Sequence, residues 1–471
     1  MKVIEEYVAS LELDAYVVGG AVRDMFLGRQ AKDADFLVPG VDAAELHDRL
    51  ARHGRVEDLI VAGRAVGFRL YPADREIRAL ATTGIEFAPP RREVSTGPGR
   101  HDFEIVVDAT ASVEDDLARR DFTVNAIARR LVDGSIVDPH RGREDIENRV
   151  LRTVSESSFA EDPLRIIRGL RLLSQFGFEP DAGTLRQMHS EAESVRLVSG
   201  ERIGGGLAAD GHGELSKLLL GTHPAAALRL ARDTGVLAVI LPELVPAIGF
   251  DQRNPYHQYT VDEHIFVTVQ AAADAGTTLA VRLAALLHDS GKPESAWLGN
   301  DGRLHFYRRS PGATPGHESI GATLAAAALR RLRYPNSLRD EVVALVRHHM
   351  FHIGTAKPRT ARRLLARHQD RLFALLDLRE ADIVGKGLPD ADTRALLDRV
   401  AEFRAVATAE QTHPYRLSDL AIDGSDLIAL GFSPGPEIGQ TLALLLSMVV
   451  DDPAANTRDT LVAQAKARLE P

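Results

Sequence analysis

Strand signals crowd into the first 140 residues of this chain and then stop. The short apolar runs YVVGG, DADFLV, VGFRLYP, FEIVVDA and IVDP alternate with helical stretches as far as Pro139. Beyond it, apolar residues recur at three- and four-residue spacing, as in LRIIRGLRLLSQF and VRLAALLHDSG. This pattern predicts an α+β protein: a small mixed α/β head followed by helices only. At 471 residues the chain is too long for one core. The expected division is a head over 1–140, a helical neck over 141–215, a helical body over 216–400 and a helical tail over 401–471. Connectors at 204–213, 251–260 and 297–318 punctuate the helices, and the prolines and glycines of IEFAPPRREVSTGPGRHDFEIV predict a loop over 84–103.

Composition narrows the chemistry. A net charge of −10 argues against a protein coated in nucleic acid, although arginines cluster locally, for example at 329–333 and 359–371. With no cysteine there is no disulfide and no zinc–thiolate site, so any metal falls to His, Asp or Glu. No apolar run reaches the ~18 residues of a membrane span. MKVIEEYVAS carries glutamates where a signal peptide is basic and then apolar. The expectation is a cytoplasmic protein with no membrane partner.

Residues 17–38, VVGGAVRDMFLGRQAKDADFLV, concentrate polar chemistry behind a strand. Gly19 and Gly20 open a turn where backbone N–H groups can approach phosphate oxygens, and Arg23 lies one helical turn on. In a strand, residues two apart share a face, so KDADF sets Asp33 beside Asp35 and turns Phe36 toward the core. Paired carboxylates of this kind hold two Mg²⁺ ions in polymerases.

GGAVRDMFLG and KDADF, followed by ARRDFTVNAIA (118–128) and EDPLRIIRGLRL (161–172), resemble the class II tRNA nucleotidyltransferases. These are the bacterial CCA-adding enzymes and poly(A) polymerases, with a polymerase-β-like head. The resemblance implies that Asp33 and Asp35 are catalytic and bind Mg²⁺, and that Gly19, Gly20 and Arg23 form the triphosphate turn. It implies that Arg120, Asp121 and Asn125 hold the sugar and phosphates of the incoming nucleotide. Asp162 and Arg165, with Arg168 beyond them, would bind the nucleotide and read its base edge. Asp162 accepts from the exocyclic amine that cytosine and adenine share, whereas uracil and guanine present acceptors there. An Asp before Pro163 is equally an expected helix cap. A third head carboxylate is left among Glu86, Glu104 and Asp108.

The helical part holds His264, His288–Asp289, His317, His348–His349 and Asp382, an imidazole and carboxylate set spread over several helices. The order, and LLHDSGKP above all, resembles the HD-type metal-dependent phosphohydrolases. That resemblance implies a metal set of His264, His288, Asp289 and Asp382, with His317 and His349 bringing a second ion, all within about residues 260–385. The ion expected is a transition metal such as Ni²⁺ or Mn²⁺.

Together these imply template-independent addition of C and A to the 3′ end of tRNA from CTP and ATP, with phosphohydrolase activity in the same chain. Arg359, Arg362 and Arg363 are the candidate RNA contacts. The alternatives are a poly(A) polymerase, a partial CC- or A-adding enzyme, or a phosphohydrolase whose head only captures nucleotide or RNA.

Overall fold

The computed structural model describes residues 2–31, 35–61, 64–95, 103–107, 110–205, 211–310 and 312–469. It forms two compact units, Met1–Pro242 and Glu243–Pro471.

The first unit is built on a mixed sheet. Its strands are β1 (Tyr16–Val18), β2 (Asp35–Leu37), β3 (Gly54–Val61), β4 (Arg64–Pro72), β5 (Ile85–Ala88), β8 (Ala128–Arg130) and β9 (Ile136–Val137), in the order β3-β4-β5-β2-β1-β8-β9. β2 and β5 run parallel, and the other described neighbours are antiparallel. β6 (Arg91–Ser95) and β7 (Phe103–Val107) pair as a separate hairpin. Phe36 does face the core: it is buried and stacks on Phe87 at 5.5 Å between ring centroids.

The expected loop over 84–103 is a correction. Its start is β5 and its middle is β6, while 96–102 lies outside the described residues. The sequences of β3 (GRVEDLIV) and β6 (RREVS) mix arginines and acids among the apolar residues, which masks the apolar alternation. Residues 206–210 of the 204–213 connector also lie outside the described residues.

Three helices of this unit carry site residues: α1 (Gly20–Phe26), α2 (Val113–Ala118) and α3 (Leu164–Phe176). α2 starts at a reciprocal capping box of Ser112 and Asp115. α3 buries Leu164, Ile166, Ile167, Leu170 and Leu173 on one stripe and ends at Gly177 in the left-handed region.

Among its described residues the second unit is helical apart from a two-residue pairing of Trp297–Leu298 with Leu304–His305, inside the expected 297–318 connector. Its helices include α4 (Val261–Asp274), α5 (Leu279–Leu287), α6 (His317–Arg331), α7 (Asn336–His348), α8 (Pro358–His368), α9 (Arg371–Gly385), α10 (Asp390–Glu410) and α11 (Pro436–Asp451). One core cluster joins α8, α9 and α10 through Leu365, Leu372, Leu376, Val400 and Phe403. A second, toward the C-terminus, holds Leu427, Phe432, Leu445, Val449 and Leu461. Each fully buried leucine or phenylalanine contributes about 1.5–3 kcal/mol, enough to hold the polar groups below in fixed places.

Candidate active site of the head and candidate metal centre

In the first unit, β1 ends beside both Asp35 and Ala128, because Val18 pairs with each across the sheet. The chain then turns through Gly19, whose φ is +72° and whose N–H donates to the Ile127 carbonyl at 3.2 Å. That N–H is therefore committed within the protein. A Cβ at Gly19 would lie 2.6 Å from Arg120 Nη1, so glycine is needed both for the backbone angle and for the approach of Arg120.

Around this turn the expected residues form one linked group. Arg120 reaches the Asn125 carbonyl at 3.4 Å, and Arg23 Nη1 donates to Asn125 Oδ1 at 2.7 Å. Asn125 Nδ2 in turn donates to Asp121 Oδ1 at 3.1 Å, and Arg168 lies 3.1 Å from Asp121 Oδ2. Burial alone would push the Asp121 carboxyl up, but Arg168 and Asn125 outweigh it and hold it below the usual range. Arg23 differs from expectation. Its guanidinium is buried, pairs with Asp24 and packs over Phe176, so it braces Asn125 from within the fold.

A cavity of about 410 Å³ opens on this group, and Asp35, Glu86, Arg69, Asp116, Arg119 and Arg120 all reach it. Asp33 lies outside the described residues. Of the three candidates for a further carboxylate, Glu86 stands opposite Asp35 in the parallel β2–β5 register and is oriented by Arg69 at 2.5 Å. Asp108 lies outside the described residues, and Glu104 is on the β6–β7 hairpin. Two neighbouring carboxylates facing a cavity are a donor set suited to a hard divalent cation.

Asp116 was not anticipated. It is fully buried, and its two oxygens take Arg119 at 2.5 Å and Arg120 at 3.0 Å. Burial raises its affinity for a proton, but the two arginines more than offset this and keep it ionised. The signal was present as an acid three and four residues before paired arginines on a helix.

At the start of α3 the two expected base-reading side chains are each held. Asp162 accepts from the Leu164 N–H at 3.1 Å, the capping role, and is bound by Arg202 at 3.0 Å. Arg165 is buried. It donates to the Ser158 carbonyl and hydroxyl, to Glu161 at 3.0 Å and to the Arg119 carbonyl at 2.9 Å. Arg165 thus ties α3 to the end of α2 rather than presenting an open edge.

In the second unit, His264, His288, Asp289, His317, His349 and Asp382 converge, each from a helix or a helix end. His264 Nδ1 bonds the Gly385 carbonyl at 2.8 Å, and His288 Nδ1 the Ala285 carbonyl at 2.8 Å. His317 and His349 likewise use Nδ1 on the Phe306 and Val346 carbonyls, at 3.1 and 2.7 Å. Gly385 allows the first of these, since a Cβ there would fall 2.0 Å from Thr268 Oγ1. Every ring therefore turns Nε2 inward.

Asp289 stands between two sets. Its Oδ2 is 3.0 Å from His264 Nε2 and 3.2 Å from His288 Nε2, while Oδ1 is 3.6 Å from His317 and 3.9 Å from His349. Asp382 Oδ1 completes the first set at 3.3 Å from His264. Four ligands about 2.1 Å from one ion lie roughly 3.4 Å from each other, which is the spacing seen here. Electrostatics agree. Burial would strip a proton from His264, but Asp289 and Asp382 outweigh it and favour positive charge at that point. Burial, then His317 and His288, push His349 down to about 3, leaving it in the neutral, ligating form. The carboxyl of Asp382 is held well below its usual range: burial opposes this, and Lys386 and His264 win. Of the adjacent histidines, His349 joins the centre, whereas His348 turns away and meets His368 edge to face at 5.3 Å between ring centroids. A cavity of about 360 Å³ leads to the centre past Tyr256, Lys292, Tyr307 and Lys386.

The expected RNA contacts need correction. Arg362 is buried, bonded to Glu410 at 2.7 Å and to the carbonyls of Val450 and Asp451. Arg359 and Arg363 are exposed but share the single carboxylate of Asp451. Among the described residues no acidic group pairs with the exposed Arg367 and Arg371.

Comparison with known proteins identifies the segments that carry these groups. Residues 15–152 match the family of poly A polymerase head domains, 177–248 a probable RNA- and SrmB-binding site of polymerase A, and 261–392 the HD domain. A multifunctional CCA protein of Alkalilimnicola ehrlichii is 35% identical over 80% of this chain and 86% of its own length. One of Xanthomonas campestris is 32% identical over 91% of this chain and 96% of its own. The crystal structure of the Bacillus stearothermophilus CCA-adding enzyme with CTP superposes with a TM-score of 0.66 at 23% identity, covering 99% of this chain and 96% of that one. The Thermotoga maritima CCA-adding enzyme complexed with tRNA gives a TM-score of 0.53 at 19% identity, covering 100% of this chain and 94% of that one. These structural likenesses establish the fold, and the sequence relatives establish the lineage. The chain belongs to the family of multifunctional CCA proteins.

Proposed function

We propose that this chain adds C and A nucleotides to the 3′ end of tRNA from CTP and ATP, without a nucleic-acid template, and that its HD centre hydrolyses phosphoesters. The observation that carries the first part is the linked group of Gly19, Arg120, Asn125 and Asp121 beside the Asp35–Glu86 pair, in a chain of this family. Asp33 and Asp35, together with Glu86, which stands opposite Asp35, would hold Mg²⁺, which supplies charge neutralisation at the transferring phosphate. Arg119 and Arg120, kept in place by Asp116, add positive charge where the triphosphate's negative charge collects. Asn125 and Asp121 fix the sugar side of the pocket, with Arg168 and Arg23 as their supports. Gly20 lets the turn approach the triphosphate closely. Asp162, oriented by Arg202, accepts the exocyclic amine of cytosine or adenine, and Arg165, tied to Ser158, Glu161 and the Arg119 carbonyl, fixes the start of α3 beside it. The head, neck, body and tail division stated above is part of this reading.

In the HD centre, His264, His288 and Asp382 would hold one ion and His317 and His349 a second, with Asp289 shared. Ni²⁺ or Mn²⁺ suits this imidazole-rich set and supplies Lewis acidity toward a phosphoester. RNA phosphates are met on the second unit by the exposed Arg367 and Arg371, which have no acidic partner among the described residues. The test of the head is incubation of tRNA lacking its 3′ CCA with each of the four triphosphates singly. Incorporation from CTP with refusal of UTP and GTP supports the reading, and indiscriminate or absent incorporation overturns it.

A further inference from the structure

Lys292 lies one turn after the His288–Asp289 pair and is only 4% exposed. Its ammonium is 2.6 Å from Asp289 Oδ2, 2.7 Å from Gln252 Oε1 and 3.3 Å from His257 Nε2. All three are acceptors, and the last two are held in that role by their other atoms. Gln252 Nε2 donates to the Tyr259 carbonyl at 3.1 Å, and His257 Nδ1 donates to Asn254 Oδ1 at 3.0 Å. The Phe306 ring adds its face 5.4 Å from the ammonium.

A buried carboxylate oxygen, a buried amide oxygen and the imidazole nitrogen of the half-buried His257 are also a donor set for a divalent transition metal. Ligand atoms of His257, His264 and Asp289 lie within 4.8 Å of one another, as in the two groups already described. The connector 251–260, irregular in structure, thus brings Gln252 and His257 to the same carboxylate that the two proposed ions share. Lys292 meets that carboxylate at Oδ2, whereas His317 and His349 approach Oδ1.

We propose that Lys292 is a tethered cation filling a third cation position of the HD centre, and that the cage of Asp289, Gln252 and His257 takes a divalent metal ion once the ammonium is removed. This rests on the reading that the centre binds metal. A singly charged ammonium balances Asp289 without drawing it away from the other two positions. A third divalent ion in its place would compete for Oδ2, so Lys292 sets the number of ions the centre carries.

The test is metal content per chain, measured by inductively coupled plasma mass spectrometry after loading the full-length protein with Mn²⁺ and desalting. Lys292→Ala is expected to carry one ion more than the unaltered chain. Lys292→Arg, which keeps the cation, is expected to match the unaltered chain, and Lys292→Ala with His257→Ala is expected to lose the extra ion. A Lys292→Ala protein with the same content as the unaltered chain overturns the proposal. If that variant folds only in the presence of Mn²⁺, its ion count is compared with that of the unaltered chain under the same conditions, and an equal count overturns the proposal. If it fails to fold even then, Lys292→Ser is measured in its place, and failure of both with Mn²⁺ present also overturns the proposal. An unaltered chain that binds no Mn²⁺ would instead refute the metal reading of the whole centre.

Discussion

The Nε2 atoms of His264 and His288 face each other at 3.1 Å, and each ring has already committed its Nδ1 to a backbone carbonyl. Two imidazole lone pairs cannot satisfy one another, so a cation belongs between them. Asp289 and Asp382, both buried beside the pair, make that demand stronger.

Metal removal is therefore expected to destabilise the second unit. An ion at one hundred times its Kd contributes about 2.7 kcal/mol, or roughly 5–10 °C in Tm for a unit of this size. Calorimetry before and after chelation measures it. His288→Ala should remove most of this metal dependence and leave nucleotide addition intact. An identical Tm with and without chelator would contradict the metal assignment.

At Gly19 two effects compete. The Arg120 tip can shift away from a new Cβ at little cost, but the backbone at φ +72° cannot relax without moving β1 or α1. Gly19→Ala is thus expected to cost about 1–2 kcal/mol through the backbone. The KM for CTP should also rise, since the turn and Arg120 beside it are displaced from the pocket. Steady-state kinetics with unaltered KM would show that the turn does not shape the nucleotide pocket.

Arginines of α8 should separate into two classes. Arg362→Ala leaves Glu410 buried without its partner and is expected to cost about 3–5 kcal/mol of stability, with tRNA affinity of the folded protein unchanged. Arg367→Glu with Arg371→Glu should leave Tm nearly unchanged, weaken tRNA binding and lower the salt slope by about one per lost contact. Filter binding across a salt series distinguishes them. A tRNA defect confined to Arg362→Ala would reverse this assignment.

His368 gives a pH dependence. Burial, then His348 and two arginines, push it down to about 4, while an unfolded histidine titrates near 6.5. The folded state therefore prefers the neutral ring. Its contribution is complete above pH 6.5 and is lost as pH falls toward 4. The drop in Tm between pH 7.5 and pH 5 should be smaller in His368→Gln than in the unaltered chain, and equal drops would contradict this.

Sequence alone conveyed the α+β division and the segments of both centres, because those signals are local: a glycine pair, alternating acids, His–Asp on a helix end. It did not convey Asp116, Arg202, Gln252 or His257, whose roles come from partners brought close only by the fold. The strand β6 was hidden by prolines before it and by its own charges. Arg362 was misjudged because an amphipathic arginine-rich helix reads as a solvated face, and only the packing of α8 against α11 shows which arginine is interior. Glu86 stood out among the carboxylate candidates once the parallel register set it beside Asp35.

The most direct test of the account is the 3′-end sequence of tRNA lacking CCA after incubation with the purified chain, CTP, ATP and Mg²⁺. Termini ending at CCA and going no further, and no addition at all by Asp35→Ala, are the predicted results. Long A tails would assign poly(A) synthesis to the head, and unchanged termini would contradict nucleotide addition altogether.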